Sequence, residues 1–252
     1  MCRMAVMARF QKGPLNEVAG WVRHLAYHGR LRADMEPPRE GELRHGDGIG
    51  YVLLKEWNQL FEYDKEGRDN WFSPAIWNVV QNSEGIALAM HTRRTSGSET
   101  SKEFAHPFVF ADGKLALMHN GTIKFPGYKK QSDTLTWIKE YIEPAIKNVD
   151  LTKYDEFLDA FVRATEQAIQ NDFTSASSII VSPWWIIAVR WFNDDATRSH
   201  IYEDYYTLYH WYDRHTRWVA SEPMPSAQNV NLLRNRHYIV FFNTGEAKYE
   251  SL

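Results

Sequence analysis

The only cysteine of this 252-residue chain is residue 2. Processing enzymes commonly remove an initiator methionine that precedes a small side chain, so we expect the mature chain to begin with Cys2 and to carry a free α-amine beside the thiol. Such an amine has a pKa of about 7.7 to 8.0, and its unprotonated fraction near neutral pH can accept a proton from the thiol or from water. Cys2 therefore brings a nucleophile and a base together. The alternative is that Cys2 is a small buried apolar residue on an edge strand.

Four further motifs follow in the chain, together with a short acidic segment. They are His45–Gly50 (HGDGIG), His91–Arg93 (HTR), His106–Phe108 (HPF) and His119–Ile123 (HNGTI), followed by Ser132-Asp133-Thr134. In this order, and after a cysteine at position 2, they resemble the class II glutamine amidotransferases, whose glutaminase domain has the N-terminal-nucleophile hydrolase fold. Trp218–Pro223 also resembles the family's late strand and turn. The Gly-Asp-Gly form of the first motif is more similar to short stand-alone members than to fused synthases.

The resemblance implies an oxyanion-binding pair. Attack of a thiolate on a carboxamide builds a negatively charged oxygen, and each donor aimed at that oxygen typically contributes about 10²- to 10³-fold in rate. The side-chain amide of Asn120 and the backbone N–H of Gly121 match the family's donors. The alternative is that Asn-Gly forms a plain hairpin turn. Because an apolar strand runs directly into this pair, we expect it at a strand end that faces a cleft.

The resemblance also implies residues that bind the substrate. Arg93 matches the family's carboxylate-binding arginine, and a guanidinium suits a carboxylate in charge and shape. Asp133 matches the residue that pairs with the α-ammonium of glutamine, although a helix-capping role shared with Ser132 is an alternative. His106 and His119 match motif histidines that orient the walls of the pocket, and neither is expected to act as a base.

The sequence departs from the family pattern after its arginine motif. The family usually continues with an aromatic residue and then Ala-Thr, whereas this chain has Arg94-Thr95-Ser96. Ser96 keeps a hydroxyl for the carboxylate where the family has threonine. Arg94 stands in the aromatic position, and two interpretations are open. It reaches toward a partner or a different substrate, such as a γ-glutamyl compound larger than glutamine, or it simply points outward.

The composition is typical of a soluble globular protein, and we expect a single domain over residues 2–252. The 29 Lys and Arg residues against 32 Asp and Glu residues give a formal charge of −3, so the basic excess of a nucleic-acid-binding protein is missing. The longest apolar stretch, Pro183–Val189, is far shorter than the roughly 18 residues that span a membrane. Arginines in the first nine residues argue against a secretory signal, and a lone cysteine cannot form an internal disulfide, so we predict a cytoplasmic protein.

No phosphate-binding glycine loop is present, and His24 and His28 lack an obvious third ligand, so we expect neither a cofactor nor a metal.

Hydrophobic periodicity predicts the main elements. The predicted strands are Cys2–Arg9, Ile49–Trp57, Gly85–Thr92, Ser178–Ser182, Trp185–Phe192, Tyr205–Trp211, Arg217–Ser221 and Tyr238–Phe242. The predicted helices begin at Pro14 and at Ser73-Pro74 and cover Asp133–Lys147 and Thr152–Asn171. Phe108–Leu117 is a predicted hairpin that turns at Asp112-Gly113. Strands, then paired helices, then strands indicate an α+β fold. The resemblance implies a four-layer αββα sandwich of two antiparallel sheets.

Three functions compete at this point. In the first, Cys2 hydrolyses the side-chain amide of glutamine through a γ-glutamyl thioester and releases ammonia for a partner synthase subunit. In the second, the chain is a γ-glutamyl hydrolase that acts on a small thiol or amine conjugate, resembling the stand-alone enzyme of ergothioneine synthesis. In the third, it is a non-catalytic module that binds a glutamine-like ligand. Little chain remains after the late strands, so we expect any acceptor chemistry to belong to a partner or to be absent.

Overall fold

The computed structural model describes residues 2–40, 42–95, 97–126, 132–195, 197–213 and 215–252. Within these ranges the strands form two sheets, and every pair of neighbouring strands is antiparallel. The strands are β1 (Arg3–Pro14), β2 (Gly48–Leu54), β3 (Glu62–Gly67), β4 (Glu84–Arg93), β5 (Phe108–Phe110), β6 (Leu115–Ile123), β7 (Phe173–Val181), β8 (Trp185–Arg190), β9 (Tyr209–Tyr212), β10 (Thr216–Ala220), β11 (Asn231–Leu232), β12 (His237–Phe242) and β13 (Ala247–Ser251). The first sheet has seven strands in the order β11-β9-β10-β1-β4-β2-β3, and the second has six in the order β13-β12-β8-β7-β6-β5.

Helices cover the outer faces of the two sheets, and one further helix, the last in the chain, packs near Phe192. They are α1 (Asn16–His28), α2 (Pro74–Gln81), α3 (Asp133–Trp137), α4 (Glu143–Ile146), α5 (Tyr154–Ala168) and α6 (Ser199–Tyr205), and a π-helical turn over Ile138–Ile142 joins α3 to α4. Buried side chains of α1 and α2 share one apolar cluster with the first sheet. Those of α3, α4 and α5 share a second cluster with the second sheet.

A third apolar cluster lies between the sheets. It contains Met4, Val6 and Ala89 from the first sheet and Met118 and Ile179 from the second. Since side chains on a strand alternate between its two faces, each sheet gives one set of residues to this layer and the other set to a helical layer. The α+β sandwich of helices, two antiparallel sheets and helices is therefore confirmed. No helix in the described ranges is long and apolar enough to cross a membrane.

Most of the predicted elements are present, with shifted ends. The hairpin is confirmed, since β5 and β6 are joined by residues 111–114, of which Ala111, Asp112 and Gly113 are at positive φ. The first strand continues to Pro14 instead of ending at Arg9, because after a register shift Gly13 and Pro14 still pair with β4. The first helix therefore begins at Asn16 rather than at Pro14.

The prediction of a strand over Tyr205–Trp211 is wrong in its first half. Residue Tyr205 ends helix α6, and β9 begins only at Tyr209. Tyr205 and Tyr206 are buried in a small cluster with Phe192, and the guanidinium of Arg3 lies 4.1 Å from the centre of the Tyr205 ring. A run of aromatic residues suits a buried helix end as well as a strand, and tertiary packing decides between them.

Candidate active site

Strand β1 places Cys2 inside the molecule, between β10 and β4. Cys2 is 5% exposed and directly precedes the central strand β1, so the alternative that placed it on an edge strand is wrong. Arg3 pairs with Thr92 and Met4 pairs with His91, which sets Cys2 opposite Arg93. Met4 faces the layer between the sheets. Because side chains alternate along a strand, Cys2, His91 and Arg93 face that layer as well.

Asn120 reaches the same place from the second sheet. It lies on β6 two residues after Met118, and its side chain is 1% exposed. Its Oδ1 accepts a hydrogen bond of 3.0 Å from the backbone nitrogen of Cys2. Because that nitrogen only donates, the atom facing it is the oxygen, and Nδ2 is left as a donor. Among the residues that the structure describes, Nδ2 has no hydrogen-bond partner.

Gly121 lies inside strand β6, so Asn120-Gly121 is not a hairpin turn. A Cβ atom at this position would lie 1.8 Å from the carbonyl oxygen of Ser175 on the neighbouring strand. No other residue fits there without moving the β7 backbone. The pairing between β6 and β7 becomes irregular directly after Gly121. This irregularity marks the end of the regular ladder next to Cys2.

The surroundings of Cys2 favour its thiolate. Burial opposes ionisation of the thiol, but the charge of His91, the amino terminus, a hydrogen bond with His91 and the charge of Arg93 outweigh it and lower the pKa of Cys2 to about 6. A thiolate is the nucleophilic form of cysteine. The lone cysteine is therefore ionised at neutral pH in spite of its burial.

Three buried histidines form a hydrogen-bonded chain beneath Cys2. Nε2 of His91 donates to the carbonyl of His119 at 3.1 Å, and Nε2 of His119 donates to the carbonyl of Ser175 at 2.9 Å. Nδ1 of His119 then accepts from the hydroxyl of Thr134 at 3.0 Å, and the Thr134 oxygen accepts from Nε2 of His106 at 3.2 Å. These assignments follow because a carbonyl oxygen can only accept.

His106 is part of the support of the site. Its ring centre lies 4.2 Å from that of His91, and its side chain is 5% exposed. Burial, followed by electrostatic interactions with His91 and His119, holds the pKa of His106 well below its usual value. Gly50 makes this position possible, since a Cβ there would lie 2.0 Å from the His106 carbonyl oxygen. A substrate-binding role for His106 remains a prediction.

Arg93 lies at the site with its guanidinium partly engaged. Nη1 donates to the carbonyl of Glu99 at 2.7 Å, and Nη2 donates to the hydroxyl of Ser98 at 2.6 Å. Burial lowers the pKa of Arg93, while the charges of Cys2, Asp47 and Asp133 act in the opposite direction. The Arg93 guanidinium is thus close to the Cys2 thiol, and its hydrogen bonds to Ser98 and Glu99 hold it in this position.

Asp133 has a capping role and also lies near the site. Oδ1 accepts from the backbone N–H of Thr134 and Oδ2 accepts from that of Ile123, both at 2.9 Å. Ser132 caps the same helix through the N–H of Leu135. The bond to Ile123 ties the start of α3 to the strand that carries Asn120. Its charge also acts on Arg93.

Arg94 braces a loop. Its guanidinium donates to the carbonyls of Arg44 at 3.0 Å and Glu36 at 2.6 Å, both in the segment between α1 and β2. The interpretation that it simply points outward is therefore incomplete, and its observed contacts give no support to a substrate-reading role. Ser96, the predicted carboxylate-binding hydroxyl, lies outside the described residues.

Sequence reasoning missed two groups that hold the site together. Arg3 is fully buried and donates to the carbonyl of Cys2 at 3.2 Å and to Oε1 of Glu222 at 2.8 Å. Asp47 accepts from Nε of Arg68 at 2.9 Å and from the N–H of Thr95 at 2.8 Å. Both residues lie within or beside the quoted motifs. Their ion-pair partners, however, are distant in sequence, so spacing alone could not assign them.

Comparison with known proteins gives one short sequence match and several matches over the whole fold. The chain is 32% identical over 83 residues to a glutamine–fructose-6-phosphate aminotransferase of Lactiplantibacillus plantarum, and this segment covers 33% of the chain and 13% of that relative. The glutamine phosphoribosylpyrophosphate amidotransferase from B. subtilis superimposes with a TM-score of 0.63 at 13% identity, over 100% of this chain and 49% of that one. A glutamine aminotransferase class-II domain protein from Silicibacter pomeroyi gives 0.59 at 14% identity, over 99% of both chains. No family model matches the sequence.

The chain thus shares its fold with these class II glutamine amidotransferase proteins. The resemblance drawn from the motifs is confirmed at this level. The chain spans about half of the amidotransferase and a smaller part of the aminotransferase, so the activity of the whole relatives is not carried over with the fold.

Proposed function

We propose that residues 2–252 form one glutaminase-type domain, in which Cys2 hydrolyses the γ-amide of glutamine and releases ammonia. The observation that carries this proposal is the position of the Asn120 amide. Its Oδ1 holds the backbone nitrogen of Cys2, and its Nδ2 is a buried donor with no partner in the described part of the chain. A donor placed in this way beside a low-pKa thiol is what a developing oxyanion requires.

The proposed reaction has two stages. The Cys2 thiol gives up its proton, the thiolate attacks the carboxamide carbon, and the carbonyl electrons move onto oxygen beside Asn120 Nδ2 and the Gly121 N–H. On collapse the departing nitrogen takes up the proton that came from the thiol, ammonia leaves and a γ-glutamyl thioester remains. Water then attacks the thioester, releases glutamate and restores the thiol. In a chain without Met1 the nitrogen held by Asn120 is the α-amine, a proton carrier next to the reacting atoms.

The charges around the site suit a free amino acid. The guanidinium of Arg93 is the group for the α-carboxylate, since its charge and forked geometry match a carboxylate. Asp133, whose charge acts on Arg93, is the group for the α-ammonium. For the carboxylate to bind, the Arg93 fork must exchange at least one of its bonds to Ser98 and Glu99. This step selects a ligand that brings its own negative charge.

The fate of the ammonia is a separate part of the proposal. The two transferases similar to this chain each act, by name, on glutamine and a second compound, and this chain matches only part of each. We propose that any acceptor chemistry belongs to a synthase partner. Activity that rises when such a partner is added would support this proposal, and hydrolysis unaffected by it would oppose it.

Intact-mass measurement before and after treatment with 6-diazo-5-oxo-L-norleucine, an electrophilic analogue of glutamine, tests the catalytic role of Cys2. We expect a single adduct on a chain that lacks Met1, and none on the Cys2→Ala variant. The same variant is expected to lose glutamine hydrolysis altogether while keeping its fold, because alanine retains most of the buried apolar contact. A Cys2→Ala protein that hydrolysed glutamine normally would overturn the proposal.

A further inference from the structure

Strand β7 forms a bulge next to Gly121. Between the pairs that Gly121 and Ile123 make with β7, strand β6 contributes one residue, Thr122, whereas β7 contributes two, Thr174 and Ser175. Two residues on one strand that face a single residue on its partner define a β-bulge, a feature that re-aims side chains and is common next to active sites. The bulge therefore lies one residue beyond the N–H to which the proposed reaction assigns an oxyanion.

At this bulge a side chain replaces the regular strand pairing. Oγ1 of Thr174 accepts a hydrogen bond of 3.0 Å from the backbone N–H of Thr122. In a continued ladder Ser175 would stand opposite Thr122, but the carbonyl oxygen of Ser175 accepts from Nε2 of His119 at 2.9 Å. The peptide that follows Gly121 is therefore held by the hydroxyl of Thr174.

Tyr206 fixes this hydroxyl. The Tyr206 hydroxyl donates to Oγ1 of Thr174 at 2.8 Å, and Nη1 of Arg32 donates to the Tyr206 oxygen at 3.3 Å. Burial raises the pKa of Tyr206, so the hydroxyl keeps the hydrogen that it donates. The backbone is fixed as well, because the carbonyl of Thr174 accepts from the N–H of Asn193 at 3.0 Å. Thr174 and Tyr206 are both buried, so the loss of either partner is costly.

The peptides on the two sides of Gly121 decide where its N–H points. Glycine has no Cβ to restrict its backbone angles, so its conformation depends on its neighbours. On one side, Asn120 is fixed by its place in the ladder and by the hydrogen bond between its Oδ1 and the nitrogen of Cys2. On the other side, Thr174 holds the N–H of Thr122. The glycine is thus clamped between two fixed peptides.

We propose that Thr174, fixed by Tyr206, is a positioning residue that orients the N–H of Gly121 toward the oxyanion. The inference rests on the proposed function, in which Gly121 supplies the second oxyanion donor. In this role Thr174 acts through the peptide between Gly121 and Thr122, without contact to the reacting atoms. Because stabilisation of an oxyanion depends on the position of each donor, a displaced peptide slows the chemical step and leaves substrate binding largely unchanged.

Two substitutions separate the hydroxyl of Thr174 from the bulk of its side chain. Thr174→Val keeps the size and removes the acceptor, so kcat for glutamine should fall about 10- to 100-fold while KM changes by less than about twofold. Thr174→Ser keeps the hydroxyl, and its kcat should stay within about twofold of wild type. Hydrogen exchange of the Thr122 amide, followed by NMR, should be faster in Thr174→Val and remain slow in Thr174→Ser.

Thr165→Val is the matched control. Thr165 is a fully buried threonine of α5, in the outer layer, and its hydroxyl donates to the carbonyl of Phe161 at 2.6 Å. Its replacement should lower the urea midpoint of unfolding, while kcat stays within about twofold of wild type. Alkylation of Cys2 by iodoacetamide forms no oxyanion, so its rate should stay within about twofold of wild type in all of these variants.

A wild-type kcat in a folded Thr174→Val protein would overturn the inference. So would a Thr174→Ser protein as slow as Thr174→Val, or an equal loss of kcat in Thr165→Val. If Thr174→Val does not fold, as judged by circular dichroism, Tyr206→Phe decides. Without the hydroxyl that fixes Thr174, kcat should fall about threefold or more and the Thr122 amide should exchange faster. A wild-type value for either quantity in Tyr206→Phe would overturn the inference.

The inference and the proposed function fail differently. Slow exchange at Thr122 that depends on the Thr174 hydroxyl, in a protein that neither hydrolyses glutamine nor reacts with its electrophilic analogue, would keep the positioning of this peptide and reject glutamine as the substrate. Glutamine hydrolysis that is insensitive to the Thr174 hydroxyl would keep the substrate and reject the positioning.

Discussion

The layer between the two sheets is apolar over most of its extent and polar at one end, although the same strands build both parts. Met4, Ala89 and Met118 lie in the apolar part. Two residues away from each of these lie Cys2, His91 and Asn120, whose side chains face the same layer. We call these three residues, together with Arg93, the polar end. The backbone does not change between the two parts. Positions only two residues apart on one strand therefore differ in role, since one stabilises the core and the other belongs to the candidate active site.

The two parts are held by different interactions. The apolar part is stabilised by burial, at about 25 cal/mol per Å² of apolar surface removed from water. The polar end loses hydration instead, which is unfavourable unless each group finds a partner. Its partners include backbone carbonyls, that of His119 on β6 for His91 and that of Glu99 after β4 for Arg93. The exceptions are Asn120 Nδ2 and His91 Nδ1, which within the described residues lack an oxygen or nitrogen partner. Of these atoms, Asn120 Nδ2 is the donor that the proposed mechanism places beside the oxyanion.

Replacing Asn120 or Met118 by alanine compares the polar end with the apolar part on the same strand. We expect the largest effects from this pair of variants. Asn120→Ala should lower kcat for glutamine by about 10²- to 10³-fold, because it removes one oxyanion donor. Met118→Ala should lower the free energy of unfolding by about 2–5 kcal/mol, because it leaves a cavity between the sheets. Ammonia release and urea denaturation measure the two quantities. The comparison fails if Met118→Ala loses as much kcat as Asn120→Ala while keeping its stability.

The Arg93→Ala variant tests whether the polar end also binds the negatively charged carboxylate of the substrate. Loss of charge-assisted hydrogen bonds to the substrate carboxylate, worth about 1.5–3 kcal/mol, should raise KM for glutamine by about 10- to 100-fold. The control is Arg163→Ala, which removes an exposed guanidinium from α5 in the outer layer. Unchanged substrate binding in Arg93→Ala would remove this residue from its assigned role.

The contrast also shows what the sequence could predict. The layered fold followed from short apolar runs such as the one in β4 and from helical periodicity in α1 and α5, because both patterns identify segments that are buried. The Asp112-Gly113 turn followed from its local chemistry. The strand predicted from Tyr205 failed because an aromatic run lacks a distinguishing period. Strand β3 was missed because its sequence, EYDKEG, is polar and partly exposed.

The candidate site was predictable as a set of residues and not as a geometry. Motif order pointed to Cys2, Asn120 and Gly121, and the structure brings them together. The proximity of His91 to the thiol depends on the register between β1 and β4, which no local motif encodes. The two contacts of Arg94 depend on the path of the loop after α1, which is set by tertiary packing.

The Arg94→Ala variant should have the smallest effect, because Arg94 lies next to the polar end and contacts the loop between α1 and β2. The carbonyls of Glu36 and Arg44 would lose their donor, but water can replace it at this partly exposed position, so the loss of stability should be about 1 kcal/mol. Hydrogen exchange should accelerate in residues 30–40 and 42–46, and KM for glutamine should rise by less than about tenfold. Arg94→Lys, whose compact ammonium cannot bridge two carbonyls as a guanidinium does, should fall between alanine and wild type. If exchange in this loop is unchanged while selectivity between glutamine and a larger γ-glutamyl conjugate shifts, Arg94 contacts the substrate instead of bracing the loop.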